Sequence, residues 1–135
     1  MENMRKNISS DFAFISFAPI RFISAKTGQR VDKLFELIVA AHASNIKRVT
    51  TGQLNDMLTD ATTRVQPPSD KGKRLRIYYM TQASVAPPTF VFFVNKKDLF
   101  HFSYQRYLEN QLRSTFGFEG SPIRFIVREK GEKDI

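Results

Sequence analysis

Five consecutive apolar residues, Phe90-Val91-Phe92-Phe93-Val94, constrain this chain most. In a strand, successive side chains point to opposite faces. A run that is apolar at every position therefore suits a central strand with both faces covered. Pro87-Pro88 ends the run on one side and the polar residues 95–98 end it on the other.

The neighbouring segments follow from their periods. Residues 74–83 alternate as a strand, with Leu75, Ile77 and Tyr79 on one face and Arg74, Arg76 and Tyr78 on the other. Ile123, Phe125 and Val127 mark one face of a last strand over residues 123–128. Thr50-x-x-Gln53 has the form of a capping box, in which the two side chains satisfy each other's free amide donors. Leu54, Met57, Leu58, Ala61 and Val65 then recur at helical spacing. Pro67-Pro68-Ser69-Asp70-Lys71-Gly72 reads as a loop. Tyr104, Tyr107, Leu108, Leu112 and Phe116 line one face of a second helix, with Gly117 as its C-cap. The order helix–strand–strand–helix–strand over residues 48–130 predicts an α+β domain, a three-stranded sheet with its helices on one face. Residues 131–135 form a charged tail.

The first 47 residues read differently. Residues 4–17 fit a helix through Ile8, Phe12 and Ile15, or a strand through Ala13, Ile15 and Phe17. Residues 20–24 read as a short buried strand, Thr27-Gly28 as a turn, and residues 30–43 as a helix with Val31, Leu34, Phe35 and Ile38 on one face.

Composition narrows the chemistry. The absence of cysteine removes disulfides, thiolate metal sites and cysteine nucleophiles. His42 and His101 lack metal-ligand spacing. The most apolar stretch, residues 12–25, is broken by Pro19 and Arg21 and is too short for a bilayer. A soluble, cytoplasmic protein without a membrane partner is expected. The net charge of +8 favours a polyanionic partner only weakly. Residues 1–47 hold seven basic and four acidic residues, and residues 48–135 hold fourteen and nine, so the excess is diffuse. No internal repeat is present.

One motif carries specific chemistry. Ser24-Ala25-Lys26 ends a predicted strand and precedes Thr27-Gly28. Ras-like GTPases recognise guanine with a loop of this form. The surrounding run, Ala18-Pro19-Ile20-Arg21-Phe22-Ile23-Ser24-Ala25-Lys26-Thr27-Gly28-Gln29-Arg30-Val31, resembles the end of the second GTPase domain of the Der (EngA) family. The resemblance continues through Gln53-Leu54-Asn55, Leu75-Arg76-Ile77-Tyr78-Tyr79, Val85-Ala86-Pro87-Pro88-Thr89-Phe90, His101-Phe102-Ser103-Tyr104 and Phe116-Gly117-Phe118-Glu119-Gly120-Ser121. It covers nearly the whole chain. It implies residues 1–47 as a truncated Ras-like G-domain remnant, a strand and a helix, and residues 48–130 as a KH-like domain. It implies a bacterial GTPase that uses GTP and Mg2+, assists large-subunit ribosome assembly, and has further G domains. Of the guanine pocket, Ser24, Ala25 and Lys26 are present. No G-x-x-x-x-G-K-[ST] and no D-x-x-G occurs in the sequence, so the chain alone is not expected to bind or hydrolyse GTP and needs no cofactor.

Two strings mimic functional motifs. Asn95-Lys96-Lys97-Asp98 matches the guanine-recognition pattern N-K-x-D, but it follows the Ser-Ala-Lys loop instead of preceding it, and it reads as a strand-end turn. Gly117-Phe118-Glu119-Gly120 matches the G-x-x-G clamp of KH domains, yet it follows the long helix and reads as that helix's end. Asp56 and Asp60 read as a solvated helix face, and His101 as a capping or packing residue. The RNA-contact candidates are Lys71, Lys73, Arg74 and Arg76, extended by Lys96, Lys97, Arg106, Arg124 and Arg128 if one sheet face is open. The expected partners are ribosomal RNA and the missing G domains. Non-native self-association through an uncovered apolar remnant is a further expectation. The alternative is a free-standing KH-like RNA-binding module with an N-terminal extension.

Overall fold

The computed structural model describes residues 2–22 and 31–130. Among them the chain forms helices α1 (Glu2–Asp11), α2 (Val31–Asn45), α3 (Thr51–Arg64) and α4 (Phe102–Phe116). The strands are β1 (Ser69–Asp70), β2 (Lys73–Arg74), β3 (Ile77–Ser84), β4 (Thr89–Val94) and β5 (Arg124–Glu129). β3, β4 and β5 form a sheet in that order. β4 is central, antiparallel to β3 and parallel to β5. A parallel pair needs a crossover connection, and α4 supplies it. The predicted α+β order is present, with its three-stranded sheet.

α3 starts where the capping box predicts. Gln53 N donates to Thr50 Oγ1 at 3.3 Å, and Thr50 N donates to Gln53 Oε1 at 3.4 Å. Leu54, Met57, Leu58 and Ala61 of α3 are buried, as are Tyr104, Leu108 and Leu112 of α4. They meet Met80, Phe90, Phe92 and Val94 from the sheet, with Phe125 and Val127 packed against that core. The Phe92 and Phe125 rings meet edge to face at 4.9 Å, a favoured aromatic geometry. Asn55 ties α3 to the edge strand. Its Oδ1 accepts from Met80 N at 3.0 Å and its Nδ2 donates to Met80 O at 3.1 Å. That pair satisfies backbone groups that a sheet edge otherwise leaves open.

Three expectations change. The loop over residues 67–72 contains a small hairpin, with Ser69 opposite Arg74 and Asp70 opposite Lys73. Lys71 and Gly72, at φ of 50° and 80°, turn it. Two adjacent positive φ values give the tight twist of a two-residue hairpin. Second, the strand predicted over residues 74–83 begins at Ile77, and its alternation breaks at a register shift between Ile77 and Tyr79. A one-residue shift sends side chains to the other face. Ile77 stays with the core, while Tyr79 leaves it for the outer side of the sheet. Third, Ile20, Arg21 and Phe22 run as irregular chain and pair with no strand among the described residues. A strand needs a partner for its ladder, and neither sheet offers one here. The remaining two residues of that predicted strand lie outside the described residues.

The ambiguous N-terminal stretch resolves as α1 followed by a short 3-10 turn, Ala13–Ile15. Residues 16–22 then reach the α+β unit. Phe17 O accepts from Gly120 N at 3.3 Å, and the Arg113 guanidinium lies 4.9 Å from the Phe17 ring centre. α2 buries no side chain, and Phe35, Ile38 and Val39 are left exposed.

Candidate nucleic-acid interface

The first candidate residues, Ser24, Ala25 and Lys26, lie outside the described residues. The others can be placed. Lys71 and Lys73 stand on the β1–β2 hairpin, and with Lys96 they line an open hollow that Asp70, Asp98 and Leu99 complete. Three lysines and two aspartates from two segments separated along the chain thus border one hollow, with a net positive lining. Each is exposed, so the hollow is a solvated cationic surface and not a buried site. Arg74 spends its guanidinium locally, with Nη1 donating to Pro67 O at 2.9 Å. Arg76 lies over the Tyr78 ring, 5.1 Å from its centre.

A second group lies on the sheet's outer side. Lys97 and Arg128 border a groove with Tyr79, Phe93, Ile126 and Glu129. Lys130, absent from the candidates read from the sequence, reaches over both Tyr78 and Tyr79, at 5.2 and 5.6 Å from the ring centres. Arg124 belongs to the opposite end of the sheet, where it pairs with Thr89. Arg106 does not join either group: it sits on α4, over the ring of Phe102 at 5.7 Å. Nothing local in the sequence could have sorted these arginines, because their grouping depends on which strands pair.

The two misleading strings have structural work. Asn95 Oδ1 accepts from Arg76 N at 2.8 Å and from Lys96 N at 2.9 Å, while its Nδ2 donates to Arg74 O at 3.0 Å. Asn95 is therefore a turn residue that fastens β2 to the end of β4. Gly117 ends α4 with φ of 97° and ψ of −103°, a conformation open to glycine, and its N donates to Arg113 O at 2.8 Å. Gly120 has φ of 78°, and a Cβ there would stand 2.8 Å from Ala41 Cβ, so α2 rests directly on this loop. Ser121 Oγ donates to Asn45 Oδ1 at 3.2 Å, and Arg113 holds the loop through Phe118 O at 3.0 Å and Ser121 O at 2.9 Å. The G-x-x-G string is thus a joint between α2 and the α+β unit.

His101 occupies the N-cap position of α4 without a side-chain capping bond. Its backbone carbonyl accepts from Tyr104 N and Gln105 N. Asp60 pairs with Arg64 at 2.9 Å on an exposed face. Among the described residues no cluster of histidine or acidic side chains could hold a metal ion, and no helix is long and apolar enough to cross a membrane.

These features have counterparts in known proteins. A family model described as KH-domain-like of EngA bacterial GTPase enzymes, C-terminal, matches residues 48–128. The chain is 59% identical over 133 residues to GTPase Der of Caldicellulosiruptor saccharolyticus, covering 98% of this chain and 30% of that protein. It is 58% identical over 130 residues to GTPase Der of Acetivibrio thermocellus, covering 96% of this chain and 30% of that one. For GTPase Der of Ruminiclostridium cellulolyticum the figures are 57% over 134 residues, 99% and 30%. The chain thus spans about three tenths of the length of the curated relatives it matches. With a KH-like fold in place and a family match across most of the chain, this chain belongs to the C-terminal KH-domain-like family of EngA bacterial GTPases.

Proposed function

We propose that this chain is the C-terminal part of a Der-type GTPase, with residues 1–47 closing a second G domain and residues 48–130 forming a KH-like domain that contacts ribosomal RNA. The observation that carries the reading is identity of 57–59% with proteins named GTPase Der along almost the full chain. In this reading the intact protein binds GTP and Mg2+ and acts in the cytoplasm on the large ribosomal subunit. Ser24, Ala25 and Lys26 border the guanine. The uncovered face of α2, with Phe35, Ile38 and Val39, meets the rest of the G domain. Detached from that domain, the same face favours self-association.

RNA contact is proposed through charge. Lys71, Lys73 and Lys96 border one hollow with Asp70 and Asp98, a net positive lining that suits phosphate. Binding of large-subunit rRNA fragments, followed by anisotropy across a salt series, tests it. The triple change Lys71→Glu, Lys73→Glu, Lys96→Glu should weaken binding and flatten the salt dependence, by about 0.7–0.9 in log–log slope for each phosphate no longer neutralised. Unchanged binding would remove these lysines from the interface. Titration of the chain with labelled GDP and GTP should show no specific binding, because the sequence holds no phosphate-binding loop. Micromolar affinity would contradict that.

A free-standing KH-like RNA-binding module is the second reading. The intact mass of the native protein separates the two.

A further inference from the structure

Phe90, Phe92 and Val94 of β4 face the core under α3 and α4, and of the residues on its other face Thr89 and Val91 are buried while Phe93 is only half-buried. On the other face the register sets Tyr79 opposite Phe93 and Phe93 opposite Arg128, a row running straight across all three strands. The Tyr79 and Phe93 rings stack at 4.4 Å between centres and 20° between planes. Tyr79 remains 37% exposed. An open groove of about 780 Å³ surrounds the pair, with Ile126 on its floor.

The rim of this groove is cationic. Lys97 and Arg128 border it, Lys130 Nζ stands over Tyr79 and Tyr78, and Arg76 lies over Tyr78. Glu129 is the acid among the lining residues; its Oε1 accepts a hydrogen bond from Lys97 N at 2.9 Å and its charge stands against those of Lys97, Arg128 and Lys130, so the rim is net positive. An apolar protein surface laid on this face would strip water from these cations and return no counter-charge, a costly exchange. A polyanion whose units also carry flat π faces suits both features at once. In duplex RNA the bases are already stacked on one another and cannot offer those faces.

We propose that the outer face of the sheet is a stacking platform for unpaired nucleotides of single-stranded RNA. A base extends the Tyr79–Phe93 stack in the place that Lys130 Nζ occupies, and Lys97, Arg128 and the displaced Lys130 hold the flanking phosphates. The inference rests on the RNA-contact reading above and adds to it: the lysine hollow supplies charge alone, whereas this face selects unpaired bases.

The chain has four tyrosines and no tryptophan, so tyrosine emission reports on the platform. The 135-residue chain is titrated with a twelve-nucleotide oligo(U) and with an RNA hairpin of equal charge whose strands are joined by a non-nucleotide linker, so that every base is paired, by emission and anisotropy. Oligo(U) should bind more tightly than the hairpin and quench tyrosine emission. Tyr79→Leu should weaken oligo(U) binding by about 5- to 100-fold, the loss expected for one base stack, with the salt slope unchanged. Tyr79→Phe, which keeps the ring, should restore it. Circular dichroism confirms that the variants fold. If Tyr79→Leu binds like the parent while Lys71→Glu with Lys73→Glu weakens binding, the platform is overturned and the charge reading stands. Equal or tighter binding of the hairpin overturns the platform as well. If residue 79 governs self-association in sedimentation and leaves RNA affinity unchanged, the face is a protein contact and the proposal fails. Absence of any RNA binding by the parent chain fails both readings together.

Discussion

Tyr104 shows how much one buried polar tip matters. Its hydroxyl donates to Val65 O at 2.8 Å, just beyond the end of α3. Burial, with a smaller contribution from neighbouring Tyr107, pushes its pKa from 10.0 up to about 12. The phenol is neutral when protonated, so a raised folded pKa stabilises the fold fully below pH 10, and that contribution is lost as pH rises through about 12. Thermal melts between pH 8 and pH 12 should fall most steeply above pH 10, and Tyr104→Phe should flatten that fall. The same variant leaves the Val65 carbonyl without its donor and should lower stability by about 1 kcal/mol near neutrality. Gly120 is a second such residue. Gly120→Ala places a methyl 2.8 Å from Ala41 Cβ at a φ of 78°, so it should cost about 1–3 kcal/mol and loosen α2. Proteolysis within α2 at unchanged α3 protection would register that loosening. The Thr50–Gln53 capping box and the Gly117 cap were legible in sequence, because each depends on neighbours within a few residues. The face of Tyr79 was not, because it depends on a pairing with Phe93 fourteen residues away.

Among the elements, β3 departs furthest from its own periodicity. Leu75, Ile77 and Tyr79 alternate in sequence as one face, and the register shift after Ile77 separates them. Such irregularities add a residue to one strand and re-aim the side chains beyond it. Asn55 then fixes the edge of β3 from α3 through both backbone groups of Met80. Asn55→Ala should leave these half-buried groups without partners and cost about 1–3 kcal/mol. Amide exchange should accelerate at Met80 more than at the strand centre of β4. The β1–β2 hairpin shows the opposite failure of local reading. Its proline- and glycine-containing sequence announced a turn region, but two residue pairs of ladder were too short to leave a period.

At the scale of the molecule, two apolar surfaces stay open among the described residues, and they differ in character. The outer sheet face is ringed by cations. The α2 face presents Val39 at 69% exposure beside Phe35 and Ile38, with Lys33 and Glu36 paired to each other at 3.9 Å. Patches of the second kind drive association. Sedimentation of the chain should show concentration-dependent self-association, and Val39→Lys should shift it toward monomer while leaving RNA binding intact.

The sequence by itself determined the helix–strand–strand–helix–strand succession of α3, β3, β4, α4 and β5, the caps, the core faces of α3 and α4, and the resemblance that the family match bears out. Those depend on spacing within single segments or on the succession of segments along the chain. Tertiary structure alone decided which lysines meet, why the G-x-x-G string is a joint, and that Tyr79 faces outward beside Phe93. Each of these depends on strand register and on contacts between distant segments, and the periodicity of a single strand or helix carries no information about either.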